Sequence, residues 1–311
     1  MEREDIHILN RFSNLEETEI AKALQDNVYN DKQSWEKFIR LFIISLGVGF
    51  TVSGILFFFA YNWADLHKSI KIGLIEGLLI VATTLLLLPK IRDTTRNIIL
   101  TGASVLVGVL FAVFGQIYQT GANSYDFFLA WTIFVTLWAI VSNFAPLWLI
   151  YILLINVTLI LYSQQVAKDW SDVFVFTLLF SLNIVVLISA ILWGKHKLPN
   201  WFLYCIALAA IGYSTIGIYI GIFEQYQISF LFLIGVATIT YALGIWHGLK
   251  TKSSFYLAII PFSLIIICIG LIIKASNDEV MFLFISIFII ASVTLTIINL
   301  INLQKKWLNE K

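Results

Sequence analysis

The chain has 311 residues, of which 59% are hydrophobic and only 13% charged. A soluble domain carries roughly 25% charged residues, so most of this polypeptide is built for lipid. A formal net charge of +1 offers a nucleic acid nothing to bind, and Cys205 and Cys268 lie in apolar runs without the spacing of a disulfide framework or a zinc site.

The start, Met1-Glu2-Arg3-Glu4-Asp5, is acidic and no apolar h-region follows it. No cleaved signal peptide is therefore expected, and the first membrane helix should act as its own insertion signal. Residues 1–39 form the sizeable polar part. Ile6, Leu9 and Phe12 fall at helical spacing, and Ser13-Asn14-Leu15-Glu16 reads as a capping box. Ile20, Leu24 and Val28 continue as one apolar stripe. The pattern predicts a short cytoplasmic helical hairpin. Its stripe packs on the chain's own helices, on lipid headgroups or on a cytoplasmic protein partner.

A span needs about 20 mainly apolar residues. Ten such helices are predicted, at about 41–61, 70–89, 97–115, 127–142, 146–162, 173–193, 200–221, 228–247, 254–273 and 280–302. The fold class is therefore all-α, a polytopic membrane bundle over 40–303 with a tail at 304–311. Sixteen of the 20 Lys and Arg fall on the side of the N-terminus; only Lys68, Lys71, Lys168 and Lys274 fall opposite. By the positive-inside rule both termini are cytoplasmic. Fusing 127–142 with 146–162 into one span would erase that asymmetry, so two helices are expected. A pair that dips in and returns keeps the same parity and stays open.

Small residues recur every fourth position: Ser45, Gly49 and Ser53 in the first helix, Gly73 and Gly77 in the second, Gly217 and Gly221 in the seventh. In lipid such stripes let backbones approach, so they are expected to be packing seams. Pro261, in mid-span, should kink the ninth helix.

Between the third and fourth helices runs Phe114-Gly115-Gln116-Ile117-Tyr118-Gln119-Thr120-Gly121-Ala122-Asn123-Ser124-Tyr125-Asp126, rich in amides and tyrosines and free of lysine and arginine. On the predicted topology it faces the non-cytoplasmic side. Gln116, Tyr118, Gln119, Asn123, Tyr125 and Asp126 are candidate ligand-binding residues, because a pocket needs such donors and acceptors to orient a polar ligand. The structural alternative is that Asn123 caps the fourth helix and Asp126 sits at its third position, where a negative charge suits the helix dipole.

Glu76 is the ionisable residue well inside a span, about six residues or roughly 9 Å from the outer end of helix two. It shares a face with Gly73, Gly77 and Ile80, which predicts a carboxylate aimed at a helix seam. Asp65 joins it as a candidate ligand group on the outer side, beside His67. Seven outer carboxylates against four lysines make that face attractive to cations. One histidine in no recognised spacing is not a metal signature. The chain has no GxxxxGK[ST], HExxH or GxSxG motif, and no catalytic residue, metal or cofactor is expected.

The string Gly115-Gln116-Ile117-Tyr118-Gln119-Thr120-Gly121-Ala122…Tyr125-Asp126, with Asn62-Trp63 after the first span and the helical hairpin before it, resembles a bacterial family of predicted membrane proteins called domain of unknown function 2157. The resemblance covers roughly residues 1–160. It implies a bacterial cytoplasmic membrane and no assigned activity. Three readings follow. The first is small-ligand binding or transport through an outward-facing polar cavity; the second is a non-catalytic assembly or sensory protein docking through 1–39. The third is an enzyme acting on lipid at the outer leaflet, with Glu76, Asp65 and Asp126 as acid, base or metal ligands.

Overall fold

The computed structural model describes residues 18–20, 22, 32–62, 67–89, 91–118, 121, 123–193, 198–224, 228–275 and 280–309. Among them lie ten long helices and no strand: α1 (Lys32–Asn62), α2 (Lys68–Leu86), α3 (Asp93–Tyr118), α4 (Ser124–Ser142) and α5 (Ala145–Gln165), then α6 (Asp172–Trp193), α7 (Asn200–Phe223), α8 (Ile228–Lys250), α9 (Ser254–Ala275) and α10 (Val280–Asn309). All ten are long and apolar enough to cross a membrane. The chain is a polytopic membrane protein whose exposed apolar faces meet lipid.

The expected hairpin over 1–39 lies mostly outside the described residues. Helix α1 starts at Lys32, nine residues before the expected boundary. Nothing in Lys32–Arg40 breaks a helix, and Trp35, Phe38 and Phe42 lie one turn apart, with successive ring centroids 5.9 Å apart.

The chain divides into two compact units, Met1–Thr120 and Gly121–Lys311. In the first, α2 packs on α3 through Ile75, Val109 and Val113, with Ile72, Leu79, Leu110 and Ile117 around them. Helix α1 meets α3 where Gly102 leaves room for Val48; a Cβ there would lie 2.4 Å from Val48 Cγ1. The rest of α1 is largely exposed, Phe50 by 72% and Phe57 by 75%, as a lipid-facing surface requires.

The second unit holds α4 to α10. Helices α4 and α5 form an antiparallel hairpin. Asn143, at φ 46°, ends α4 in the left-handed conformation, and Pro146 stands in the first turn of α5. The pairing is read from bonds along the hairpin: Tyr125 N–H to Gln165 Oε1 at 3.0 Å, Thr132 to Thr158 at 3.2 Å, and Thr136 to Tyr151 at 3.2 Å. A single fused span is thereby excluded. The core of the unit gathers Val173, Phe180, Ala210, Ile218, Leu233 and Ala237 from α6, α7 and α8. Helix α9 runs on through Pro261, which leaves the Leu257 carbonyl without its intrahelical partner.

The small-residue stripes behave differently from one another. Gly217 and Gly221 are seams: a Cβ on Gly217 would lie 2.8 Å from Phe176 Cβ and Leu233 Cδ2, and one on Gly221 would lie 2.2 Å from Phe230 Cδ2. At Gly49, Gly73 and Gly77 an added Cβ meets nothing within 4 Å. In the first unit the bulky Ile72, Ile75 and Leu79 make the contact instead. Both faces of α2 are apolar, so hydropathy alone does not say which one packs.

Candidate functional site

The amide-rich motif straddles the boundary between the units. Gln116, Tyr118 and Glu76 belong to the first; Asn123, Tyr125 and Asp126 belong to the second. At the end of α3 the Tyr118 ring lies 4.5 Å from that of Phe114 and stays half exposed, and Gln116 is exposed beside it. Gly121 adopts φ +66°, a left-handed conformation that suits glycine and turns the chain.

Asn123 then starts α4. The Asp126 carboxylate accepts the Asn123 backbone N–H at 3.0 Å, so its first task is to satisfy a free donor at the helix start. Tyr125 is fixed twice, by its N–H to Gln165 and by its ring, edge-on to Tyr162 at 5.5 Å. Tyr162 continues to Trp170 at 5.6 Å and Trp170 to Phe174 at 5.1 Å. This aromatic ladder ties the start of α4 to the end of α5 and the start of α6. Gln119 and Asp65 lie outside the described residues.

Glu76 is exposed, together with Gly73 and Ile80. The expected seam along that face is corrected: the neighbouring Ile75 is the residue buried against α3, and the carboxylate points elsewhere. Lys71, counted from the sequence among the four cations of the outer side, sits in the first turn of α2 and is buried. His67 caps α2, its Nδ1 accepting the Ser69 N–H at 3.4 Å. Among the described residues no three His, Cys, Asp or Glu side chains come together.

The buried polar groups of the second unit were missed by sequence reasoning. Asn156 on α5 and Asn183 on α6 are 3% and 0% exposed and face each other, Asn183 Nδ2 donating to Asn156 Oδ1 at 2.7 Å. Both are amides within apolar runs, a signal that sequence alone offered.

The larger cluster joins α7, α8 and α9. Tyr241 OH lies 2.8 Å from Ser214 Oγ and 2.6 Å from Ser263 Oγ, and Ser263 Oγ lies 2.6 Å from Thr215 Oγ1. Ser214 and Thr215 both point at the Ile211 carbonyl, at 2.9 and 2.6 Å. Five oxygens thus close a ring. Its four side chains are between 0% and 7% exposed. Each is at least eight residues, roughly 12 Å, from either end of its helix. Two grooves of about 560 Å³ reach it, one at Thr215 and Ser263 and the other at Tyr241. The second runs on to Lys274, whose Nζ donates to the Ile222 carbonyl. No sequence motif marks the ring, because single Ser, Thr and Tyr residues are ordinary in membrane helices.

Residues 15–148 match the model of a family described as predicted membrane protein (DUF2157), the resemblance that the motif implied. No curated protein and no solved structure matches the chain.

Proposed function

We propose that this membrane protein binds a small polar or cationic solute and passes it across the bilayer, without enzymatic chemistry. The observation that carries the reading is the ring of buried oxygens at mid-depth of α7, α8 and α9, reached by open grooves. Polar groups in the hydrocarbon are expensive, and they commonly mark the path of a substrate or ion. Gln116, Tyr118 and Asn123 are exposed at helix ends, available to a solute arriving there. The distribution of Lys and Arg supports a non-cytoplasmic position for them, and the family resemblance supports a bacterial cytoplasmic membrane. The test is charge movement in proteoliposomes adsorbed on a solid-supported membrane, after jumps of NaCl, KCl and neutral polar solutes. A response to at least one solute is expected, and its loss in the double variant Thr215→Val/Ser263→Ala. A folded preparation silent to the salts, and taking up none of the neutral solutes in labelled form, would overturn the reading.

A second reading, assembly with another polypeptide, is favoured by one observation. Glu76 is exposed on a face where Gly73 and Gly77 stand open, and a carboxylate at that depth needs a polar neighbour. Under assembly, Gly73→Cys should form a cross-link to a second chain in intact membranes, and Glu76→Gln should weaken it. Under solute transport, Glu76→Gln should instead alter charge movement and leave cross-linking alone.

A further inference from the structure

We propose that the five-oxygen ring is a Na⁺ site, an assignment that rests on the solute-binding reading and names what the ring would hold. The argument begins with counting protons. Ser214, Thr215, Tyr241 and Ser263 supply four hydroxyl hydrogens, and the Ile211 carbonyl supplies none. The ring has five contacts, all between 2.6 and 2.9 Å. However the hydroxyls rotate, one contact is left with two oxygens facing each other and no hydrogen between them. With the side chains 93% or more buried, bulk water does not relieve that repulsion, and an inward-pointing set of lone pairs favours a cation.

Size and charge narrow the choice. A planar ring with these edges would hold its oxygens about 2.3 Å from the centre, at the short end of the oxygen distances of a hard cation. K⁺ is too large for that radius. A divalent ion needs counter-charge in a medium of low dielectric, yet no acidic residue is among the described residues lining the two grooves. A single positive charge spread over neutral oxygens is the state this set supports. Binding releases no proton. Ser214 and Thr215 keep their bonds to the Ile211 carbonyl, and Ser263 can turn its hydrogen to a carbonyl of its own helix one turn back. Pro261, two residues before Ser263, frees the Leu257 carbonyl in the same stretch of α9.

The test uses the full chain purified in detergent, with NaCl exchanged against choline chloride and KCl at constant ionic strength. Na⁺ well above its dissociation constant should raise Tm by about 5 °C, the rise growing with the logarithm of its concentration, with KCl giving much less. Thr215→Val and Tyr241→Phe, each checked for monodispersity and helicity, should lose the Na⁺-specific rise. Equal Tm in NaCl and choline chloride for the unmodified protein would overturn the assignment, and this comparison needs no variant to fold. An undiminished Na⁺ rise in folded Thr215→Val would overturn it too. The two proposals fail separately. Charge movement driven by another solute, with no Na⁺ stabilisation, removes the ion and keeps the transport reading. Na⁺ stabilisation without charge movement or labelled uptake for any solute does the reverse.

Discussion

Gly217→Ala should lower the melting temperature of the second unit by about 5–10 °C, from a cost of roughly 2–3 kcal/mol for overpacking a filled seam. The new Cβ would lie 2.8 Å from Phe176 Cβ and from Leu233 Cδ2. Leu233 can move a terminal methyl. Phe176 Cβ is fixed to its backbone, so α6 and α7 must separate, and in lipid close packing is much of what holds helices together. Gly221→Ala offers a sharper comparison. Its Cβ would come nearer to a neighbour, 2.2 Å from Phe230 Cδ2, but the obstacle is the edge of a ring that can swing away. Gly221→Ala should therefore cost less than Gly217→Ala despite the shorter contact. Gly73→Ala, with nothing within 4 Å, should be neutral or stabilising by up to about 1 kcal/mol through helix propensity. Thermal unfolding of the three variants in one detergent decides the matter, and equal losses at Gly73 and Gly217 would refute the packing argument.

The contrast between these glycines also shows where the sequence was legible. Span number follows from a length threshold set by the bilayer, so charge-free runs such as 97–125 and 127–167 announce helices plainly. Even the doubtful pair resolves into α4 and α5, because the charge count opposes a single span. Which face of a helix packs is a different question. In water, polarity marks the outer face; in lipid both faces are apolar, and Gly73-x-x-Glu76-Gly77 looks like a seam beside an Ile72-Ile75-Leu79 face that is one. The motif was legible in part for the same reason. Asp126 obeys local capping rules and appears where those rules place it. The hydroxyl ring obeys only tertiary ones, since Ser214, Tyr241 and Ser263 meet across separations that no periodicity encodes.

Asn183→Leu should destabilise the second unit by about 1–3 kcal/mol, whereas the double variant Asn156→Leu/Asn183→Leu should cost less than the sum of the two single changes. Each amide has two tasks. Asn156 Nδ2 donates to the Ile152 carbonyl at 2.8 Å, and Asn183 Nδ2 donates to the Leu179 carbonyl at 2.8 Å. Both Nδ2 groups also serve the opposing amide oxygen, at 3.4 and 2.7 Å. Removing Asn183 leaves Asn156 Oδ1 buried without its donor, and hydrocarbon offers none to replace it. Removing both leaves nothing unsatisfied. The signature is therefore a coupling energy, read from the midpoints of both singles and the double. Polar contacts in membranes couple by about 0.6 kcal/mol on average and about 1.7 at most, and full burial with a reciprocal pair places this one near the upper bound. Additive losses would mean that each amide is held by its own helix alone. The pair would then not be the clamp between α5 and α6 that its geometry implies.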